Sequence, residues 1–525
     1  MADSVATPTD DSPRGRLTGA LWLGLIAAFL GWMFDGMEMG LYSLVIKPAL
    51  YDLLHTTKDA DIGPYMSATV AMFLTGMAAG GLLFGRLGDR IGRVKSMAIS
   101  ILVYATFTAA SGFTTHWSQL AACRFLGAMG LGGEWGLGVA LVMESWPNAS
   151  RPLLAGLLGA AANFGFLASS GIGWLARAYD WGWREPLWCG AIPAALLFLL
   201  RLGVKEPERY VRSRAAGETS RVAELFGPRY RRNTLIGSGL GAIAVLGMWG
   251  AYQTWLPAWA QSLVVPDEAK TSVAQATTLV AALPREPRPP QTEAEWRQVD
   301  EAVRASLAAA EAAQAAAQRT GAEAAGVALA AREAQGALNR ARRGSGSEAS
   351  AAVTVVQPLP QLAQKALDGA ASTARAATMM WVAIGSIIGA MLGGLIGGWL
   401  GRRRSYILLC LGSVAMAALL YLTVHEYGPI FLLYAALAGV PITAFFGWLP
   451  LYLPELYPTR LRATGEGFCF NVGRILSAVG VFGTGMLVAA FGSFPYASVT
   501  MSAIFLLGIP LALLAPETKG QDLPE

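Results

Sequence analysis

Gly85-Arg86-Leu87-Gly88-Asp89-Arg90-Ile91-Gly92-Arg93-Val94-Lys95 is the most informative stretch of this sequence, because a degenerate copy of it occurs later in the chain. The copy reads Gly394-Leu395-Ile396-Gly397-Gly398-Trp399-Leu400-Gly401-Arg402-Arg403-Arg404, an offset of 309 positions (394 − 85). Each copy follows an apolar run, is spaced by glycines and ends in cations. A loop repeated between hydrophobic segments predicts a duplicated membrane protein.

A second motif supports the duplication. Residues 144–151 and 455–462 share the pattern Glu-x-aromatic-Pro-x-x-x-Arg at an offset of 311 (455 − 144). Two motifs at nearly one offset indicate two related halves. In the first helix of each half, Asp35-Gly36 and Trp249-Gly250 pair at an offset of only 214 (249 − 35). About 95 residues (309 − 214) have therefore been inserted after the seventh span.

The composition places the chain among membrane proteins. Of its 525 residues, 54% are hydrophobic and only 14% are charged, which excludes an ordinary soluble protein of this size. The four cysteines lie in apolar segments at wide spacing, so we expect buried thiols and neither a disulfide framework nor a zinc site. The apolar run from Leu17 contains Asp35 and Glu38, and we interpret it as a retained first helix rather than a cleaved signal.

The hydrophobic runs predict an all-α membrane protein with twelve transmembrane helices in two pseudo-symmetric six-helix bundles. Cations near the membrane alternate onto one side, and this side is expected to be cytoplasmic, with both termini on it, in the inner (plasma) membrane. The predicted segments are a cytoplasmic tail 1–16, a first bundle 17–203, a cytoplasmic linker 204–233, a seventh helix 234–263, an extracytoplasmic insert 264–377, helices eight to twelve 378–515 and a cytoplasmic tail 516–525.

The insert has its own composition. After a proline-rich opening, Thr292 and Glu295 stand at capping-box spacing, and a stretch rich in Ala, Glu, Gln and Arg runs to Arg343. Few large apolar residues mark a packing face. One interpretation is a loosely held, partly helical or disordered segment, and the other is a partner-binding or gating module.

Several of these motifs carry a resemblance to a known family. The Gly85–Lys95 stretch is similar to the signature loop of the major facilitator superfamily, as are Arg124-x-x-Gly127-x-x-Gly130-x-Gly132 and residues 516–520, Pro-Glu-Thr-Lys-Gly. Residues 35–38 (Asp-Gly-Met-Glu), 130–135 (Gly-Leu-Gly-Gly-Glu-Trp) and 454–460 resemble the branch of metabolite–proton symporters that includes sialate and aromatic-acid carriers. The resemblance implies proton-coupled symport of a small organic acid by alternating access: a sialate, an aromatic acid or a short-chain carboxylate. Its implied partners are the organic anion, protons and the bilayer, with no further cofactor and a functional monomer.

A gate is expected at the loop of the opening motif. Asp89 is predicted to face the positive N-terminus of helix eleven near Ala463, as the corresponding acid does in the family. In this interpretation Gly85, Arg90 and Arg93 belong to the same gate. The alternative is a turn whose cations only anchor the inner face. The copy has Gly398 and Trp399 where the first motif has Asp89 and Arg90, so the second half should latch more weakly.

Further gate pairs are predicted from the second motif. We expect Glu144 to pair with Arg151, and Glu455 to pair with Arg460 or Arg462, at the inner helix ends. The alternative is a set of solvated surface charges of little energetic value.

Charges inside the spans point to function, because leaving them in lipid is costly. Asp35 and Glu38 lie three residues apart on one face of helix one, and Arg124 enters helix four at a matching depth. A carboxylate beside an arginine can alternate between paired and protonated states, so these three are the candidate proton-coupling residues, with Asp35 favoured over Glu38. A static structural pair is the alternative.

The substrate site is predicted around Arg474, ~12 residues or ~18 Å into helix eleven and so near the midplane. There a guanidinium can hold a carboxylate in two parallel hydrogen bonds, or it can pair with Glu466 or Glu134. Its counterpart in the duplication is Asn163 (474 − 311). The other candidate lining residues are Tyr252, Gln253, Trp448 and Asn471.

Other function classes find little support. The glycine motifs lack the lysine of a phosphate-binding loop, no serine elbow is present, and the three histidines lack metal-ligand spacing, so we expect no enzyme and no metal site. The cations sit in short loops, which argues against a nucleic-acid partner. The open alternatives are a neutral sugar or polyol porter, a drug exporter, and a membrane sensor whose insert binds a partner.

Overall fold

The computed structural model describes residues 19–56, 59–201, 203–218, 221–253, 255–283, 292–341 and 353–525, and these contain helices but no strand. The predicted tail 1–16, the proline-rich segment 284–290 and the Gly-Ser run 344–347 lie outside the described residues. The predicted all-α fold is thus confirmed for the part that is described.

Six long helices make up the first half, as predicted. They are α1 (Gly19–Leu54), α2 (Asp59–Ile91), α3 (Arg93–Ser111), α4 (Trp117–Ser145), α5 (Arg151–Ala178) and α6 (Glu185–Arg201). A short helix α7 (Glu208–Ala215) and a 3-10 turn (Val222–Phe226) form the linker to the second half.

The second half repeats the six spans with an interruption after the first of them. Its seventh span consists of α8 (Arg231–Met248), a π-helical turn (Trp249–Gln253) and α9 (Trp255–Val264). The insert contributes α10 (Asp267–Ala281), α11 (Glu293–Thr320) and α12 (Ala325–Ala341). The remaining spans are α13 (Leu359–Leu400), α14 (Arg402–Thr423), α15 (Pro429–Tyr452), α16 (Arg462–Phe491) and the broken pair α17 (Phe494–Ser502) and α18 (Gly508–Leu514).

Ten helical stretches among the described residues are long and apolar enough to cross a membrane. α6 and α16 fill the two remaining places in the repeat. The chain is therefore a multi-pass membrane protein, which confirms the predicted fold class.

Helix packing follows the duplication. Within the first half, α1 packs on α5, and α4 packs on α2 and α3; within the second, α15 packs on α13 and α14, and α8 packs on α16. The halves meet along two equivalent seams, α2 with α16 and α5 with α13. The first seam is close because a Cβ atom at Gly85 would lie 2.7 Å from the Ala463 carbonyl oxygen. A larger residue at Gly85 would push the halves apart.

The opening motif proves to be two helix ends rather than a long loop. α2 continues to Ile91 and α3 begins at Arg93, with a single break at Gly92. Gly92 has φ 117° and its counterpart Gly401 has φ 91°, a region that glycine adopts without strain. We call this end of the molecule the gate face, and the opposite end, which carries α10–α12, the insert face.

The insert is more ordered than expected. α10, α11, α12 and the first part of α13 share a buried core that consists mostly of small residues, among them Ala309, Ala313 and Ala363. α11 begins as predicted, since Thr292 Oγ1 accepts a hydrogen bond from the Glu295 N–H at 3.2 Å. The insert has few large apolar residues, which suggested loose packing. Alanine-rich helix faces, however, let helices approach closely and pack without large side chains. The loosely held segment is therefore the wrong interpretation for the described residues of the insert.

Candidate functional site: a central cavity and an ionic gate

At the gate face, Asp89 of α2 receives the N-terminus of α16. Its carboxylate accepts hydrogen bonds from the Ala463 N–H (3.3 Å), the Thr464 N–H (3.0 Å) and the Thr464 hydroxyl (2.5 Å). A carboxylate suits this position because the first N–H groups of a helix lack partners and carry positive potential. Asp89 therefore joins the two halves at the place where the sequence predicted a gate contact.

A second contact between the halves is centred on Glu144 of α4. Its Oε1 accepts hydrogen bonds from Arg93 Nη2 of α3 at 2.9 Å and from Arg462 Nη1 of α16 at 2.8 Å. Arg93 also bonds Asp89 at 3.0 Å and donates to the Thr459 carbonyl at 2.5 Å. The side chains of Arg93, Glu144 and Arg462 are fully buried, so removing one partner leaves uncompensated charge.

The pairings predicted within each Glu-x-aromatic-Pro motif are wrong. Arg151 does not hydrogen-bond Glu144; its Nε donates to the Met143 carbonyl at 3.0 Å. Glu455 pairs with Arg402 of α14 at 2.5 Å and accepts from the Thr518 hydroxyl. The 3-10 turns after α4 and α15 carry the motif's arginines toward other elements, so proximity in sequence does not become proximity of charges.

Two other gate candidates lie at the rim. Arg460 pairs with Glu224 of the linker at 2.6 Å, and Arg90 is exposed. Burial alone would raise the pKa of Glu224, but the hydrogen bonds from Arg460 and the Arg221 N–H, together with the charges of both arginines, lower the pKa overall. Arg460, in the 3-10 turn before α16, therefore contacts the linker.

The duplication is conserved in these contacts but is asymmetric. Arg93–Glu144 in the first half corresponds to Arg402–Glu455 in the second. Arg462, the counterpart of Arg151 (462 − 311), makes a hydrogen bond across the halves, and Arg151 bonds within its own half. The ionic contacts between halves thus depend on residues Asp89 and Glu144 of the first half.

Sequence reasoning missed two carboxylates that cap the helices of the motif. Glu206 accepts from the N–H groups of residues 93–95, at 2.8 to 3.3 Å, and Glu517 accepts from those of Arg402 and Arg403. Both follow the last span of their half, at an offset of 311 (517 − 206). That shared offset is the signal that would have found them.

The two caps differ in their surroundings. Burial raises the pKa of the Glu206 carboxyl, although its main-chain donors favour the charged form. Glu517 is exposed, so burial raises its pKa less, and the hydrogen bonds from Arg402 and Arg403 lower the pKa overall.

The segment after α18, predicted as a cytoplasmic tail, packs across the gate face. The Leu523 side chain is 3% exposed and joins the main hydrophobic core. The Pro524 carbonyl accepts from Arg462 Nη2 at 2.6 Å, and Asp522 accepts from Asn148 of the first half. This segment therefore closes over the ionic contacts.

Within the spans, Arg124 and Glu38 form a buried ion pair, and the Thr108 hydroxyl donates to the same Glu38 oxygen at 2.9 Å. The partner of Arg124 is thus Glu38 and not Asp35, the residue that sequence reasoning favoured. Asp35 lies one turn away on α1 and faces a different space.

That space is a cavity between the halves. It is lined by Trp32, Asp35, Gly36, Met39, Gly159, Ala162, Asn163, Phe166, Val245, Met248, Trp249, Gln253, Thr443, Phe446, Phe470 and Arg474. Its volume is about 50 Å³, well below the roughly 300 Å³ at which ligand pockets begin. In this conformation the cavity is therefore too small for a metabolite-sized ligand.

Opposite charges approach this cavity from the two halves. Asp35 of α1 and Arg474 of α16 are both buried and interact electrostatically. The Arg474 guanidinium lies over the rings of Phe470 (4.8 Å) and Trp32 (5.7 Å). Asn163, its counterpart in the duplication, lines the same cavity. The arrangement offers one cation and aromatic faces to a ligand.

Three predicted lining residues lie elsewhere. The Tyr252 hydroxyl donates to the Ala435 carbonyl, and Trp448 Nε1 donates to Ser405 Oγ at 2.9 Å, so both belong to helix packing in this conformation. Asn471 donates to the Gly132 carbonyl at 3.1 Å and accepts from Arg474 Nη1 at 3.1 Å. Asn471 therefore positions Arg474, while Gln253 lines the cavity itself.

Comparison with known proteins agrees with this architecture. The sequence profile described as Major Facilitator Superfamily matches residues 21–284, and the profile described as Sugar (and other) transporter matches residues 345–519. The solved structure of the proton:xylose symporter XylE superposes with a TM-score of 0.57 at 16% identity, over 96% of this chain and 98% of that one.

Two curated relatives match part of the chain. The probable 4-methylmuconolactone transporter of Cupriavidus pinatubonensis is 30% identical over 44% of this chain and 53% of its own length. The cis,cis-muconate transport protein of Acinetobacter baylyi is 29% identical over 48% of this chain and 61% of its own length. These matches span about half of each relative. The profile match, the duplicated helices and the fold together show that the chain belongs to the major facilitator superfamily.

Proposed function

We propose that this protein carries a small organic acid across the inner membrane together with protons, by alternating access. The observation that carries the proposal is the cavity between the halves, where Arg474 and Asp35 approach from opposite sides. A buried arginine gives a carboxylate two parallel hydrogen bonds, and a neutral sugar gains nothing comparable from it. The names of the muconolactone and muconate relatives support the same substrate class.

Aromatic surface narrows the class of acid. Trp32, Phe470 and Phe446 line the cavity beside Arg474. Flat rings favour a planar substrate, because an aromatic or conjugated acid can stack on them while its carboxylate bonds the guanidinium. We therefore propose an aromatic or unsaturated carboxylate ahead of a sialate or a short-chain acid.

Asp35 supplies the coupling in this proposal. When it is ionised, its carboxylate opposes the Arg474 charge and competes with the substrate; when it is protonated, Arg474 is available to the substrate anion. Binding of the acid and binding of the proton then favour one another, as symport requires. The Glu38–Arg124 pair remains a second candidate for coupling.

Orientation and assembly follow from the same reasoning. The gate face carries the cationic helix ends and is proposed to be cytoplasmic, with both termini on that side. The chain is proposed to act as a monomer, with no cofactor beyond the proton gradient.

Uptake into proteoliposomes tests the proposal. Purified protein is given labelled benzoate, cis,cis-muconate, N-acetylneuraminate or propionate, with xylose as the neutral comparison, with and without an acid exterior. We expect gradient-driven accumulation of at least one carboxylate and none of xylose. Accumulation of xylose alone supports a sugar porter, and binding without accumulation of any compound supports a sensor; either result overturns the proposal.

Two substitutions test the residues. Arg474→Gln is expected to weaken carboxylate affinity at least tenfold, because a hydrogen-bonded charge pair is worth more than ~1.5 kcal/mol. Arg231→Gln, at an exposed arginine of the gate face, is the matched control. Asp35→Asn is expected to abolish accumulation while exchange of internal for external substrate persists. Unchanged affinity in the first variant, or unchanged accumulation in the second, overturns the corresponding assignment.

A further inference from the structure

Another buried carboxylate of the first half, Glu134, lies outside the cavity lining. Glu134 of α4 pairs with Arg201 of α6 at 3.0 Å, and the two side chains are 1% and 0% exposed. Arg201 Nη2 also donates to the Ala27 carbonyl of α1 at 2.7 Å. The pair thus ties three helices together, and the proposed substrate site does not use it.

Helix α1 has a glycine, Gly31, at the point where it contacts this pair. A Cβ atom at Gly31 would lie 2.9 Å from Glu134 Cδ and 2.7 Å from Arg201 Nη2, so the two charged groups rest against the main chain there. Gly31 precedes Asp35 by four residues, which is about one helical turn or ~6 Å. Since α1 begins at the gate face, Glu134 lies about one turn nearer that face than Asp35.

Both acids retain oxygens with no hydrogen bond. Neither carboxylate oxygen of Asp35, nor Oε2 of Glu134, has a hydrogen-bond partner among the described residues. Arg201 holds only Oε1 of Glu134, so the remaining oxygen is open to a proton. Buried polar atoms are seldom left unpaired without a functional reason.

The surroundings of the two acids are mixed in charge. The ionisable groups that face them from α1, α3, α6 and α16 are Glu38, Tyr104, Arg201 and Arg474. Two buried carboxylates placed about one helical turn apart favour a state that holds one proton between them, because the low-dielectric interior penalises two like charges.

We propose that Glu134 is a second proton-binding residue of the transport cycle, which takes the coupled proton from Asp35 and passes it toward the gate face. The inference rests on the proton coupling proposed above. In this step the O–H bond of protonated Asp35 breaks and an O–H bond forms on the open oxygen of Glu134. Asp35 is left as a carboxylate, and Glu134 later gives its proton to water when the gate face opens.

Two sites in series separate the proton from the substrate. Asp35 lines the cavity, whereas Glu134 is covered by α1, α4 and α6. A proton on Glu134 is therefore removed from the water that enters the cavity with the substrate. Asp35 is then ionised and can attract Arg474, which helps to release the substrate anion.

The experiment compares Glu134→Gln with wild type in proteoliposomes, using benzoate and cis,cis-muconate as labelled probes. We expect exchange at equal pH to stay within about twofold, accumulation driven by an acid exterior to fall more than tenfold, and proton entry per substrate to disappear. Glu185→Gln is the matched control, because Glu185 also has a buried oxygen without a partner among the described residues but lies at the opposite end of α6 from Arg201, ~24 Å away along the helix.

The outcomes separate this inference from the proposed function. If wild type itself shows no gradient-driven accumulation, the proton coupling falls and this inference falls with it. If wild type accumulates substrate and Glu134→Gln does so equally, only the role of Glu134 is overturned. If Glu134→Gln does not fold, Glu134→Asp decides: a displaced pH profile of accumulation is expected, and an unchanged profile overturns the inference, since a purely structural acid has no effect on that profile.

Discussion

The contact of Asp89 with the N-terminus of α16 gives the most direct prediction about the gate. Asp89→Asn keeps the size of the side chain but removes its charge. Three hydrogen bonds to Ala463 and Thr464 lose their charge assistance, and the buried pair with Arg93 is lost.

These contacts set the change in the free-energy difference between the gate-closed and gate-open states. Hydrogen bonds to a charged group contribute about 1.5–3 kcal/mol each, against about 1 kcal/mol for a neutral one. The asparagine amide oxygen can still accept neutral hydrogen bonds from Ala463 and Thr464, so only part of this energy is lost. We therefore expect the gate-closed state to be destabilised by about 2–3 kcal/mol relative to the open state. Because 1.4 kcal/mol is a factor of ten, the ratio of open to closed molecules should rise at least about 30-fold.

Single-molecule energy transfer measures this ratio. Dyes are attached to cysteines placed at Arg86 and Arg404, two exposed positions on the gate face of different halves, in a protein that lacks Cys123 and Cys189. Glu208→Gln is the matched control, because its pair with Arg212 is almost fully exposed. A ratio that changes less than threefold in Asp89→Asn would show that the Asp89 carboxylate does not hold the gate closed.

Three further predictions concern the helix cap, the insert and the C-terminal segment. The pKa of Glu517 is lowered in the folded protein, so its cap stabilises fully above the unfolded-state pKa of about 4.3 and is lost as the pH falls through the lower folded-state pKa. Glu517→Gln should therefore lower stability by about 1 kcal/mol at pH 7, and this difference should shrink as the pH falls below about 4.3, as measured by thermal unfolding at each pH. Ala313→Phe overpacks the insert core and should make residues 267–341 sensitive to protease while substrate affinity stays unchanged; equal cleavage rates would contradict the packing described. Leu523→Ala should favour the open gate by about 2 kcal/mol or more in the same energy-transfer assay, and an unchanged ratio would mean that this side chain does not help to hold the gate shut.

Much of the fold was predictable because it follows from strong local signals. Long apolar runs, a repeated glycine motif and a constant offset between the halves predicted the twelve spans. The approach of Asp89 to Ala463 was implied by the resemblance to the family. The same regularity predicted that Asn163 and Arg474 face one cavity, since positions related by the duplication occupy equivalent places.

The ion pairs of the gate face were less predictable, because two charged residues that are close in sequence need not face one another in the fold. Glu144 and Arg151 are separated by a 3-10 turn that sends them to different partners. At the seventh span, the π-helical turn adds a residue, so Trp249 and Gln253 face the cavity while Tyr252 points to α15. A pattern of 3.6 residues per turn contains no information about such a turn.

The two capping glutamates, Glu206 and Glu517, mark where each half of the molecule ends. Glu206 lies beyond the last apolar residue of α6 and returns to the start of α3, and Glu517 does the same between α18 and α14. In each six-helix unit, a carboxylate that follows the last span thus caps a helix of the same unit. The duplicated segment therefore ends at its acidic cap and not at its last span. If the chain is divided at Gly217, each fragment keeps its own capping glutamate, so two separately expressed fragments should assemble into a working carrier. If the chain is divided before Glu206, the first fragment loses its cap and no working carrier is expected.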